Sequence, residues 1–224
     1  MRVSLIIPAL NEADCLGSLL AEIPAGLIQQ VIVVDNGSTD ATAAVAAASG
    51  ALVITEPRRG YGFACAAGVR AATGDAIAFM DGDGSFVPGE LAALLAPLSA
   101  NQADFVLGTR TKGGMTPGSM PPHQQFGNWL VAALLRWMYH VQLSDLGPFR
   151  VIRRDLLDTL DLRERTYGWP VEMMIKAARQ HARIVEVPVR YRPRFAGESK
   201  VGGTLRGTLL ATYRILSVTF RSRV

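Results

Sequence analysis

The sequence predicts an α/β fold with a mostly parallel central sheet flanked by helices. Three observations point there. Short apolar runs alternate with helix-length stretches through the first half of the chain. Those runs are continuously apolar, as strands covered on both faces require, rather than alternating polar and apolar. Chemically distinctive residues follow directly after the runs, at the edge where parallel sheets bind ligands. With 224 residues, 49% of them hydrophobic, the chain can bury the core of one such domain.

The elements can be justified in order. Val3–Ile7 is an apolar run stopped by Pro8, with Asn11 and Glu12 beyond it and a helix-like stretch over 13–24. Val31–Val34 is the next strand; it opens into Asp35-Asn-Gly-Ser-Thr-Asp40, a turn-forming segment, and a helix over 41–49. Leu52–Thr55 precedes Arg59-Gly60 and a helix over 61–72. Ala76–Met80 runs into Asp81-Gly-Asp83-Gly, and a helix follows over 89–100. Phe105–Leu107 ends in Gly108-Thr-Arg110. Four of these loops carry the polar residues, and the predicted sheet brings them to one edge. Further on, Phe126, Leu130, Leu134, Trp137 and Met138 recur at helical spacing, as do Leu205, Leu209, Tyr213, Leu216 and Phe220. Each stripe suits either packing on the core or contact with a lipid surface.

Charge divides the chain. Residues 1–110 carry 5 Lys/Arg against 11 Asp/Glu, whereas residues 111–224 carry 18 against 8. An acidic half suits a metal, and a basic half suits phosphates or an anionic membrane surface. The segment from Lys200 to Val224 has five cations and no anion, the composition of an interfacial helix. Cys15 and Cys65 stand outside any metal or redox spacing and read as apolar fillers in a reducing compartment. The apolar start is too short for a signal peptide's core, and no run reaches membrane-spanning length, so a cytoplasmic location is expected. Scattered arginines without a recognition motif argue against nucleic acid. The first strand-to-helix turn, Pro8-Ala-Leu-Asn-Glu12, has no glycine, which excludes a dinucleotide fingerprint, and a Walker A loop is absent.

Asp81 and Asp83 are the most informative pair. Two carboxylates one residue apart at the end of a buried strand can hold Mg²⁺ or Mn²⁺, whose remaining positions go to water and substrate phosphates. By itself Asp-Gly-Asp-Gly also reads as a plain turn. The set decides: Pro8-x-x-Asn-Glu12, Asp35-x-Gly-Ser-x-Asp40, Asp81-x-Asp83 and Gly108-Thr-Arg110, in this order, resembles the family-two inverting glycosyltransferases of GT-A (nucleotide-diphospho-sugar transferase) fold. Asp145-Leu-Gly-Pro-Phe-Arg150 and Arg194-Phe-Ala-Gly-Glu-Ser-Lys200 resemble the branch that moves a hexose onto a polyprenyl or dolichyl phosphate.

The resemblance implies a catalytic domain over 1–203, with a nucleotide-sugar half at 1–110, an acceptor half at 111–203, and a basic amphipathic helix over 204–224. It implies that Pro8, Leu10, Glu12, Asp35, Arg59, Gly60 and Asp81 bind the UDP- or GDP-linked donor, and that Asp81 and Asp83 face the metal. Ser85 stands where relatives often supply a further ligand. Arg110, Arg150, Arg194 and Lys200 are the implied acceptor-phosphate contacts, and Asp83, Arg110 and Asp145 the implied catalytic residues. A phosphate acceptor is already anionic and needs cations to position it. A hydroxyl acceptor would need a base, for which Asp145 and Glu172 are the candidates. Glu172 also suits the first turn of a helix, where an acid complements the helix dipole. After Gly113-Gly114 the chain has Pro122-His123-Gln124-Gln125-Phe126-Gly127-Asn128 where mannose synthases place an arginine and a serine, which favours a glucosyl or other hexosyl transferase. A binding module that senses a nucleotide sugar without turning it over is the alternative from another class.

Overall fold

A computed structural model describes residues 1–197 and 213–220. Seven strands form one sheet: β1 (Val3–Ala9), β2 (Gln30–Asp35), β3 (Leu52–Thr55), β4 (Ala76–Phe79), β5 (Phe105–Thr109), β6 (Arg150–Arg153) and β7 (Ile184–Pro188), ordered β3-β2-β1-β4-β6-β5-β7. Every pairing is parallel except those of β6, which lies antiparallel between β4 and β5. The mostly parallel sheet expected from the apolar runs is the sheet observed.

Side chains leave the strands alternately to two cores. Ile6, Ile32, Val34, Ile77, Phe79, Phe105, Leu107 and Ile152 face α3 (Tyr61–Ala71), α5 (Pro122–Tyr139) and α7 (Trp169–Arg179). Leu5, Ile7, Val33, Ala78, Val106 and Val151 face α1 (Ala13–Ala21) and α4 (Leu91–Ser99). Two short helices complete the set, α2 (Thr42–Ala48) packed on α1 and α6 (Arg154–Thr159) following β6. Trp169, with Pro170 behind it at the start of α7, is the largest plug of the first core and meets Phe79 edge-on at 5.0 Å between ring centroids.

β6 and β7 were not among the strands anticipated from sequence. β6 is only four residues, Arg-Val-Ile-Arg, and β7 carries Glu186 amid partly buried neighbours, so neither shows a continuous apolar run. On α5, Asn128, Val131, Ala132 and Leu135 face the core, whereas Phe126, Trp129 and Trp137 are exposed. The stripe through Phe126 and Trp137 is therefore not the buried face of α5. Residues 213–220 are helical; Val218 is buried, Tyr213 and Phe220 are exposed, and the Tyr139 hydroxyl donates to the Thr219 carbonyl. Leu205 and Leu209 lie outside the described residues. Among the described residues no helix is long and apolar enough to cross a membrane.

The reversal of β6 has a direct effect on the cleft. Parallel strands end at the ligand-binding edge, and an antiparallel strand begins there, so residues 145–149 reach the edge where Arg110 leaves β5. The approach is tight. The Gly108 N–H donates to the Phe149 carbonyl at 2.8 Å, and a Cβ on Gly147 would stand 2.6 Å from the Gly108 oxygen.

Candidate functional site

The loops after β1, β2 and β3 are tied to one another. Asn11, which has a positive φ of 52°, donates its N–H to Ser38 Oγ and accepts the Thr39 N–H, linking the loops after β1 and β2. Asp35 accepts the Ser38 N–H at 2.9 Å. Asn36, 6% exposed, donates to the carbonyls of Glu56 and Arg58 and accepts the Gly60 N–H, joining the β2 and β3 loops. Arg59, exposed, donates to the Gly37 carbonyl beside this junction. Hydrogen bonds from Arg58 hold the Glu56 carboxyl down to about 2. Pro8, Leu10 and Glu12 are partly exposed along the same rim. Asn36 belongs to this rim, and the sequence by itself assigns it no role.

The acidic centre lies after β4. Burial, with the negative charge of Asp83 beside it, raises the Asp81 carboxyl to about 6, opposed by Arg110, Arg150 and a hydrogen bond from Tyr61. A second carboxylate beside a buried one supplies the paired negative charge that a cation site requires. The donor set fits a hard divalent ion with water and phosphate oxygens completing its shell. Among the described residues no third His, Cys, Asp or Glu joins the pair, and Ser85 is buried, its N–H bonded to Asp83 Oδ1.

Since a ligating carboxylate must be unprotonated, Mn²⁺ affinity is expected to fall by about tenfold per pH unit below about 6 and to level off above it. The sign follows from competition between proton and cation for the same oxygens, and the raised value sets the window: a cation stabilises the protein more at pH 7 than at pH 5. Calorimetric Mn²⁺ titrations at pH 5, 6 and 7 check this, and a flat profile would remove Asp81 from the ligand set.

A strap formed by residues 189–195 crosses the same centre. Arg194 Nη2 donates to Asp83 Oδ2 at 2.8 Å, the Phe195 N–H to the Asp83 carbonyl, and Arg192 to the carbonyl of Gly84. Phe195 lies so close to Gly84 (φ +76°) that a Cβ there would be 2.4 Å from the ring. Arg194, expected on the acceptor phosphate, thus pairs with the expected metal ligand in this structure. Lys200 lies outside the described residues.

The basic side centres on Arg110, at the end of β5. Its N–H and Nε donate to Asp145 Oδ2 and its Nη2 to Oδ1, at 2.7, 2.9 and 2.7 Å. Its guanidinium lies 5.1 Å from the centroid of the Tyr191 ring. Two expectations need correction. Asp145 is fully buried and, although burial opposes it, the hydrogen bonds and charge of Arg110 lower its carboxyl below the usual range, so it orients Arg110 rather than meeting a substrate. Arg150 is 1% exposed and donates to the carbonyls of Leu146, Pro148 and Pro170, so its charge acts through its field, on Asp81 and Asp145 among others, rather than by contact with a substrate.

Glu172 is also occupied. It accepts the N–H groups of Arg163 and Glu164 and an ion pair from Lys176 at 2.9 Å. Its place in the first turn of α7 is structural. His123 is exposed in the first turn of α5, and Gln125 donates to the Met120 carbonyl.

Comparison with known proteins finds a family, two relatives and a solved structure of similar fold. The sequence model described as Glycosyl transferase family 2 matches residues 4–161. An uncharacterized glycosyltransferase of Mycobacterium tuberculosis (strain ATCC 25618 / H37Rv) is 43% identical over 210 residues, 93% of this chain and 94% of that protein. The undecaprenyl-phosphate mannosyltransferase of Micrococcus luteus is 33% identical over 221 residues, 92% of this chain and 90% of its own length. Among solved structures, glucosyl-3-phosphoglycerate synthase from Mycobacterium tuberculosis, in complex with Mn²⁺, UDP-glucose and phosphoglyceric acid, superposes with a TM-score of 0.80 at 25% identity over 99% of this chain and 79% of that one. The same synthase is also solved with Mg²⁺ and UDP.

Proposed function

Since the chain belongs to glycosyl transferase family 2 and has the GT-A fold, we propose that it transfers a hexose, with inversion, from a UDP- or GDP-linked donor to a polyprenyl phosphate. The observation that carries the acceptor class is the state of the two acids a hydroxyl acceptor would recruit. Asp145 is closed off by Arg110, and Glu172 by two N–H groups and Lys176. A phosphate oxygen needs no base, because it arrives as an anion. The similarity to an undecaprenyl-phosphate mannosyltransferase supports the same reading.

In this reading Asn11, Asp35, Asn36 and Arg59 build the rim that receives the nucleoside. A Mg²⁺ or Mn²⁺ held by Asp81 and Asp83 would neutralise the charge growing on the departing nucleotide diphosphate. Arg110, fixed by Asp145, holds the acceptor phosphate so that one of its oxygens faces the anomeric carbon. A carbon–oxygen bond forms to the phosphate as the bond to the diphosphate breaks, and the electron pair leaves with the nucleotide. Exposed Phe126, Trp129 and Trp137 on α5 suit peripheral contact with the cytoplasmic membrane face that carries such a lipid.

The test is a panel of UDP- and GDP-hexoses with Mg²⁺ or Mn²⁺, each offered polyprenyl phosphate, phosphoglyceric acid or no acceptor. Transfer is expected only with the lipid phosphate. Transfer to phosphoglyceric acid instead would replace the lipid with a soluble acceptor.

A further inference from the structure

The segment 144–147 carries Asp145 and takes its own shape from side chains that lie far away in sequence. Glu186 on β7, its side chain 5% exposed, accepts the Ser144 N–H at 2.6 Å and the Asp145 N–H at 3.1 Å through Oε1. Its Oε2 accepts the Ser144 hydroxyl at 2.8 Å and Lys112 Nζ at 2.7 Å. Asn128 on α5, 8% exposed, accepts the next N–H, that of Leu146, at 3.0 Å, and the same oxygen accepts Arg110 Nη2 at 3.5 Å. The Gly147 N–H closes the row on Asp145 Oδ1 at 3.3 Å.

Successive main-chain donors are thus captured by acceptors from two separate elements. A buried loop in this position has to satisfy its N–H groups somewhere. Satisfying them from β7 and α5 also fixes where the Asp145 carboxylate stands, and through it the plane of the Arg110 guanidinium. A planar fork binds an anion well only if its plane is set beforehand.

We infer that Glu186 and Asn128 are positioning residues for the acceptor site, locking segment 144–147 so that the Asp145-bound Arg110 presents its guanidinium to an acceptor anion. The inference rests on the reading of Arg110 as the acceptor-phosphate contact. Neither residue touches the acidic centre, so their loss acts on one substrate and spares the other.

The experiment uses the full chain and the variants Asn128→Leu, Asn128→Asp, Glu186→Leu and Glu186→Gln. Asn128→Leu keeps the side chain's size and removes the shared acceptor, whereas Asn128→Asp keeps it. Glu186→Gln retains one acceptor oxygen and covers the case in which Glu186→Leu does not fold. Steady-state kinetics with the best donor and acceptor of the panel should show acceptor KM raised about tenfold or more in Asn128→Leu and Glu186→Leu. Donor KM and the Mn²⁺ dissociation constant should stay within about twofold, and Asn128→Asp should recover most of the loss. A ¹⁵N–¹H spectrum of the arginine Nε–H groups gives a second readout that needs no turnover, with Arg110 assigned by its disappearance in Arg110→Lys. Its resonance should shift or broaden in Asn128→Leu and Glu186→Gln. Equal changes in donor and acceptor KM, or an unmoved Arg110 resonance in both variants, would overturn the inference. Should the panel's active acceptor turn out to be a soluble hydroxyl, the lipid reading fails, while the Arg110 resonance still decides the positioning role.

Discussion

Asp83→Ala is expected to lower glycosyl transfer by about a thousandfold or more, equivalent to about 4 kcal/mol of transition-state stabilisation. The change removes one of the two carboxylates available to the cation and takes away nothing that holds the sheet together. Asp83 accepts the Ser85 N–H and pairs with Arg194, whose side chain is 24% exposed, so the released guanidinium has water to turn to. A partly exposed pair of this kind is worth about 1 kcal/mol or less, and the melting temperature should fall by no more than a few degrees. With one of the two carboxylates gone, raising Mn²⁺ should not recover the loss. Transfer rates across a Mn²⁺ titration, with thermal melts by circular dichroism, test both halves of the expectation. A variant that keeps more than about a tenth of its activity with the metal chelated would end the assignment of Asp83 to the leaving-group metal.

Arg110→Met should have the largest effect on stability as well as abolishing acceptor use. Asp145 is fully buried, and its carboxylate is satisfied chiefly by the Arg110 side chain, so the variant leaves a buried charge with only the Gly147 N–H and the main-chain N–H of residue 110 to meet it. Breaking a buried pair from one side costs about 3–5 kcal/mol, which for a chain of this size lowers the melting temperature by about 10 °C. The shift is opposite in direction to that at Asp81. The pair holds the folded carboxyl of Asp145 below its unfolded value, so its contribution is full above about pH 4, the ordinary carboxylate range, and is lost as pH falls through the folded value. The difference between the wild-type and variant melting temperatures should therefore shrink in acid. The double variant Arg110→Met with Asp145→Leu should regain most of the stability and none of the transfer. Recovery of transfer in the double variant would show that Arg110 serves the fold alone.

Much of the donor side was legible in the sequence because its strands are local and unbroken. The apolar runs at Val3–Ile7, Val31–Val34 and Leu52–Thr55 each fall within an observed strand, and the Asp35, Asp81 and Arg110 loops follow strand ends as expected. Helix boundaries were read one to three residues long: the stretch over 13–24 stops at Ala21, and 89–100 divides into a 3₁₀ turn at Pro88–Glu90 and α4. The acceptor side was harder, for a physical reason. Asp145 and Arg150 carry the right chemistry, but their exposure depends on β6 turning back between two parallel strands, which no local pattern announces. Asn36, Asn128 and Glu186 act through partners 18 to 74 residues away, so their roles exist only after the chain has folded. Asn36 alone offered a signal, since it directly follows a strand-ending aspartate in a turn-forming run.

The order in which the strands fill the sheet also shapes how the protein is made. β3, β2, β1 and β4 are all drawn from the first 79 residues, so a ribosome releases a nearly complete parallel half, with α1, α2 and α3 to cover its faces, before the partner of its far edge is available. The far edge of that half is Ala76-Ile-Ala-Phe79, with apolar side chains and main-chain donors that only β6 can satisfy. Residues 80–149 must be synthesised before that edge can close, and β7 and Trp169 come later still. Throughout that interval the nascent chain carries a sticky open strand, the condition under which partly made proteins pair with one another. Asp81 and Asp83, placed directly after that strand, set two negative charges at its end during those seconds, the kind of charge that discourages edge-to-edge pairing.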